Sequence, residues 1–209
     1  MPVRGGSKGK KKPSLQSLSL SKLEASFAPK VFREIQEASD RTAAILAATS
    51  VQSTLREYII VHLARKEPES TAPLLERDGA LATFFAKIHL AFAMGLISKV
   101  DVGDLEIIRR VRNVFAHSVL PLDFADDTIE KEVRKLALYK PPYTDEVWTQ
   151  LALSYPGMSQ TRTAFLASCM LLVVKMLTVH VNKAEAEVDK MRKKFASYLE
   201  PDGSDKIAK

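Results

Sequence analysis

The 209-residue sequence predicts an all-α fold, a single-domain bundle of about five to seven helices. Three observations predict it. Apolar residues recur at alternating spacings of three and four, no stretch shows the period-two alternation of a strand, and glycine and proline gather at a few places that read as breaks. Val31–Lys66 lacks both breakers, and its stripe runs through Phe32, Ile35, Ala38, Thr42, Ile45, Ala48, Gln52, Leu55, Ile59 and Leu63. This spacing predicts one long helix, or two nearly collinear ones, ending before Pro68. Glu67–Gly79, with two prolines and a glycine, reads as a connection.

Ala80–Met94 is apolar and helical, with Gly95 as its C-terminal cap. After a link at Leu96–Val100, Asp101 or Asp104 caps a helix running to about His117 or Ser118, which Pro121 helps to end. Asp126 and Asp127 open a further helix, Thr128–Leu138. Tyr139–Met158 holds three prolines, a glycine and the only Trp, and reads as an ordered excursion without a helix. Ser159 or Thr161 caps a final helix to Leu199. Its first half is apolar nearly all round and belongs at the centre of the bundle, whereas Asn182–Lys194 projects into solvent or onto a partner.

The net charge of +6 has a local origin. Residues 1–22 carry Arg4, Lys8, Lys10, Lys11, Lys12 and Lys22 and no acid, which leaves residues 23–209 neutral. The basic character belongs to a disordered tail, which serves either as a weak polyanion-binding arm or as a solubilising extension. The helical domain spans 23–199, and 200–209 is a flexible end. One cysteine, Cys169, excludes a disulfide framework, and four scattered histidines make a metal site implausible. No Gly-rich phosphate loop or nucleophile elbow is present, so no cofactor, metal or small-molecule ligand is expected. No secretory h-region occurs in the first 30 residues, and the apolar run Ala164–Val181 contains Lys175 and His180. The expectation is a cytoplasmic protein that enters no membrane.

The most informative string is Ile107–Ser118, with three arginines, an asparagine and a histidine on a few helical turns. On a helical wheel Ile107, Ile108, Val111, Val114 and Phe115 share one side; Glu106, Arg109, Arg110, Asn113 and His117 share the other. Arg112 falls at the edge of the apolar side, where its guanidinium needs a carboxylate. Glu37 or Asp40 on the first long helix is the expected partner, in an ion pair that fixes helix register. Arg109, Asn113 and His117 are expected to form a polar surface, and the helix C-terminus favours the cationic form of His117. His89, among Phe84, Phe85, Ile88 and Phe92, is expected to pack in the core, and Cys169 to be an inert buried thiol.

The string Arg112-Asn113-Val114-Phe115-Ala116-His117, after Asp104-Leu105-Glu106-Ile107-Ile108-Arg109, resembles the mannitol repressor family of bacterial regulators. Three further stretches agree in the family's order: Phe32–Glu37 with Ser39–Ile45, Leu81–Ile88, and Ala91–Ile97. The resemblance covers roughly residues 30–140 and implies an all-helical transcriptional regulator of mannitol uptake genes. It names no mechanism of repression. Ala80–Met94, Gly95 and the arginine helix imitate a helix-turn-helix, but the Gly95–Val100 link is longer than the usual turn. Val111 and Phe115 also stand where a recognition helix would be exposed.

Arg112, four intervening residues beginning with Asn113, and His117 are also similar to the short motif of the HEPN superfamily. That resemblance implies a metal-independent ribonuclease, or an RNA-binding protein, in which His117 moves a proton and Arg112 stabilises phosphorane charge. The two residues lie about 140° apart on a straight helix, which pairing of two copies in a homodimer would repair. The leading expectation is a repressor acting through a protein partner, with nucleic-acid contact secondary and confined to the tail.

Overall fold

The computed structural model describes residues 28–76, 78–140, 145–154 and 156–178, with side chains from residue 33 onward. The basic tail 1–22, the charged stretch 182–194 and the end 200–209 lie outside the described residues. Among those described there are eight α-helices and no strand. The chain divides into two compact units at Ala38 and Ser39. The first contributes α1 (Ala28–Glu37). The stretch read as one long helix or as two holds two, because Ser39 turns extended and caps the second, its hydroxyl accepting from the Thr42 N–H at 3.4 Å.

The second unit opens with α2 (Asp40–Ile60). Ala43, Ala44, Ala47, Ala48, Val51, Leu55 and Ile59 form its buried stripe, and the small residues let neighbouring backbones approach closely. The stretch read as a connection contains α3 (Pro68–Leu75). Pro68 sits in its first turn, where a missing N–H costs nothing, so one of the two supposed breakers opens a helix.

Next is α4 (Phe84–Ala93), which starts later than Ala80 because Thr83 is its cap, accepting from the Ala86 N–H at 3.0 Å. Gly95 ends it as expected, at φ +69°. The N–H groups of Gly95 and Leu96 return to the carbonyls of Phe92 and Ala91, each at 2.9 Å. Then α5 (Lys99–His117) begins earlier than expected. Ser98 and Asp101 form a reciprocal capping box, so Asp101 is the third helical residue and not the cap.

The helix expected over Thr128–Leu138 is shorter, α6 (Asp127–Val133), capped by Asp126. A 3-10 turn at Ala137–Tyr139 follows. Its first N–H, from Ala137, donates to the Asp104 carboxylate at 2.9 Å, so Asp104 caps a distant turn and not its own helix. The excursion at 139–158 contains α7 (Asp145–Ser154), with prolines flanking it and two acids in its first turn. Finally α8 (Gln160–Thr178) is capped by Ser159, which accepts from the Arg162 N–H at 3.2 Å.

At the centre α5 packs against α2, α4 and α6. The rings of Phe115 (α5), Phe124 and Phe165 (α8) form a chain with centroids 5.1 and 5.4 Å apart, all three fully buried. Thr161 and Thr163–Cys169 are all buried, so the first half of α8 is central, as its composition predicts. By length and composition α8 could cross a membrane, but just over half of it is buried inside the protein, with ion pairs at both ends. It is the core helix of the fold.

Lys87 is a buried cation that the pattern does not announce. It lies on the inner face of α4 with Phe84, Ile88 and Ala91, and its ammonium donates to the Ala82 carbonyl. Burial lowers its pKa, helped by the nearby Arg56 and opposed by Glu76. Below that lowered value both folded and unfolded chains hold the proton, and folding bears the full cost of burying the charge. As pH rises the folded chain releases the proton first, so stability climbs until the unfolded lysine titrates near ~10.4. Lys87→Met is expected to raise stability at pH 7 by about 1–2 kcal/mol. Urea unfolding at pH 7 and 9.5 should show a smaller gain with pH for the variant than for the wild type. Equal gains would exclude Lys87 as the source.

Candidate functional site

The outer side of α4 and the polar side of α5 form one continuous patch. On α4 the residues at 85, 89 and 92 share a face turned away from that of Phe84, Ile88 and Ala91. Phe85 is 51% exposed and Phe92 45% exposed, although both would suit a core. His89 stands between them in sequence and is also exposed, with its ring 4.3 Å from that of Phe85. The expected core histidine is therefore a surface one. A wheel drawn on α4 alone separates it from Ile88, a distinction lost when the segment is read as uniformly apolar.

Glu106 organises the facing part of α5. Arg109 donates to its Oε2 from Nε and Nη2, at 3.1 and 2.8 Å. The Arg109 guanidinium also lies over the Phe85 ring, 5.5 Å from the centroid, so a carboxylate and an aromatic face hold it in place. Arg110 reaches Glu132 of α6 at 2.6 Å and lies 3.8 Å from Glu106. The other Glu106 oxygen, Oε1, is buried without a hydrogen bond, 3.7 Å from His89 Nε2. On the Glu132 carboxylate, hydrogen bonds from Lys135 and Arg110 outweigh the opposing effect of burial and hold its pKa below the usual carboxylate range.

The expected ion pair of Arg112 with Asp40 is not formed. Asp40 accepts from Arg162 at 2.6 Å through Oδ1 and from the Phe124 N–H at 2.7 Å through Oδ2. Both oxygens are thus engaged by groups distant in sequence, which no wheel could anticipate. Arg112 is half-buried and donates to Asn113 Oδ1 at 3.0 Å. Glu37, the other expected partner, is the last residue of α1 in the first unit. His117 is exposed as the final residue of α5. The Arg109, Asn113 and His117 positions run along α5, with Arg109 built into the Glu106 cluster and His117 beyond it.

A second polar cluster stabilises the far end of α5. Burial alone would raise the Asp101 carboxyl, but hydrogen bonds from Lys175 at 2.7 and 2.8 Å and from Ser98 bring its pKa below the ordinary value. It sits beside a narrow cleft lined by Tyr58, Leu96, Leu105, Leu172 and Met176. Burial drives the Cys169 thiol pKa well up, and the Asp104 carboxylate adds to this, leaving it a poor nucleophile.

The link between α4 and α5 covers Met94–Ser98 and is shorter than the sequence suggests, so its length alone does not distinguish it from a helix-turn-helix. The decisive features are chemical. Val111 and Phe115 are fully buried, and Arg109 and Arg110 are matched by Glu106 and Glu132. This helix is a core element in which two of the three arginines are neutralised and the third, Arg112, is half-buried, an arrangement poorly suited to phosphate contact.

A profile of the mannitol repressor family matches residues 29–182. Among solved structures, the chain is similar to the MtlR–HPr complex from Escherichia coli, at 19% identity and TM-score 0.54 over 71% of this chain and 96% of that one. It is also similar to a possible transcriptional regulator, YggD, from Shigella flexneri, at 14% identity and TM-score 0.56 over 71% and 95% of the two chains. At these identities the likeness speaks for the fold. No curated protein matches. The family profile spans most of the chain and includes every helix from α2 to α8, and on that ground the chain belongs to the mannitol repressor family.

Proposed function

We propose that this protein is a cytoplasmic bacterial transcriptional regulator that acts by binding another protein through the α4–α5 patch. The carrying observation is the exposed pair Phe85 and Phe92 beside an arginine held flat on the Phe85 ring by Glu106. Aromatic and arginine side chains are enriched at protein interfaces, and prior ordering lowers the entropy lost on docking. Single-stranded RNA also uses aromatic platforms, but those lie in positively charged grooves, and here Arg109 and Arg110 beside the aromatic pair are balanced by acids. The partner of the similar E. coli protein, HPr, is the first to test.

Calorimetric titration of the full chain with the cognate HPr should give saturable binding. Phe85→Ala should weaken it by about 30-fold or more, a hot-spot effect of roughly 2 kcal/mol. Because Phe85 is exposed, the variant should keep its melting temperature within a few degrees. Binding unchanged by Phe85→Ala and Phe92→Ala would move the interface elsewhere. The ribonuclease reading of Arg112, Asn113 and His117 has its own arm: cleavage of single-stranded RNA by the wild type, lost in Arg112→Ala and His117→Ala.

A further inference from the structure

Phe85 is contacted by two nitrogen groups that share one carboxylate. The Arg109 guanidinium lies 5.5 Å from its ring centroid and donates to Glu106 Oε2. The His89 imidazole lies 4.3 Å from the same ring, with its Nε2 3.7 Å from Glu106 Oε1. The two sides are unequal. Arg109 is bonded to its oxygen, whereas Oε1 is buried and accepts no hydrogen bond among the described residues. A buried carboxylate oxygen without a donor is costly, and His89 Nε2 stands about 1 Å too far away to be one.

The missing element is a proton. A neutral imidazole has one N–H, which can sit on either ring nitrogen, and it carries no charge toward the carboxylate. The imidazolium donates from both nitrogens and is attracted to Glu106. A small rotation of this half-exposed side chain then closes the gap to Oε1. Its charge comes to rest against the Phe85 ring as well, which gains a second cation beside Arg109. The charges that oppose the imidazolium are Arg109 and Arg110 of α5, the latter drawn toward Glu132 of α6. Lys87 occupies the inner side of α4, with Arg56 of α2 and Glu76 as its charged neighbours, and Glu57 pairs with Arg56.

We propose that His89 is a proton-operated clamp on Phe85. Protonation closes the imidazole onto Glu106 Oε1, fixes the Phe85 ring, and strengthens the binding of a protein partner. The gain in binding rests on the α4–α5 patch being the docking surface, whereas the closure is a property of the free chain. Association favours the protonated form and takes up a proton, so affinity falls as pH rises across the range of histidine titration, about pH 5–8.

Long-range proton–nitrogen NMR of the full chain, without partner, tests the closure. At pH 5.5 the His89 Nε2–H should exchange with solvent several-fold more slowly in the wild type than in Glu106→Gln. The amide oxygen of that variant stays with Arg109 and its nitrogen, which cannot accept, faces the histidine. The Phe85 ring should also lose mobility between pH 8 and pH 5.5, and His89→Gln should abolish this change. Equal exchange in the two proteins, or a Phe85 ring indifferent to pH, would overturn the clamp. Titration with HPr at pH 6 and pH 8 then measures the consequence. The ionisation of HPr itself is common to all variants, so the ratio of wild-type to His89→Gln affinity isolates His89. That ratio should fall about threefold to fivefold from pH 6 to pH 8, the scale of one half-exposed ion pair. A constant ratio would overturn the gating of affinity. Absence of HPr binding at both pH values would overturn the docking surface instead, and the NMR result alone would decide the clamp.

Discussion

Phe115→Ala is expected to lower the unfolding free energy by about 3–5 kcal/mol. The ring is wholly buried between the α5 backbone and Phe124, which in turn leads to Phe165. Its removal opens a cavity where α5, the loop before α6 and α8 meet. These elements are tied to different parts of the chain and cannot all collapse inward. Against a total stability of about 5–15 kcal/mol for a domain, such a loss leaves a marginal fold. Phe115→Leu keeps much of the volume and should cost less than half as much. Urea unfolding of the two variants measures both values, and a loss below about 1 kcal/mol for the alanine variant would remove the ring chain from the centre of the account. Phe115 also lies within the Arg-Asn-Val-Phe-Ala-His string, so at least one residue of that family-like signature has an architectural role.

Asp40→Ala should cost about 2–3 kcal/mol, the second large effect. The carboxylate joins three distant parts of the chain: the start of α2, the Phe124 N–H and Arg162 in the first turn of α8. Removing it takes a counter-charge from a guanidinium that is mostly buried and leaves the Phe124 N–H without this acceptor. Asp40→Asn can still accept from Phe124 and should lose less. A double-mutant cycle with Arg162→Ala isolates the ion pair, and a coupling energy near zero would contradict this role.

Periodicity made much of the fold legible. α4, α5 and the first half of α8 lie close to where spacing puts them, and Gly95 ends α4 as its missing side chain allows. Two short helices, α3 and α7, were hidden by proline. Pro68 stands in a first turn, where proline is compatible with a helix, and the prolines at 141, 142 and 156 bound α7 without entering it. The capping acids were harder to place, because a carboxylate seeks whichever N–H reaches it. Asp104 found that of Ala137, 33 residues away.

The site was less legible than the fold. A wheel ranks faces but gives no distances, so it brought Arg112 to the apolar edge without showing that Arg162 occupies Asp40. It did place Glu106, Arg109 and Arg110 together, the group that fixes the arginines beside Phe85. Exposure of Phe85 and Phe92 was the missing element. Composition reads an aromatic residue as core, and only the position of α5 behind α4 decides which side of the helix is covered.

Protein contact as the mode of action is tested most directly by titrating the full chain with cognate HPr, beside Phe85→Ala and in parallel with operator DNA. The account predicts saturable HPr binding that falls at least about 30-fold in the variant, with DNA binding that is weak, steeply salt-dependent and lost on deleting residues 1–22. Tight DNA binding by the tail-less body, with no heat from HPr, would contradict it and make the α5 helix a reader of nucleic acid after all.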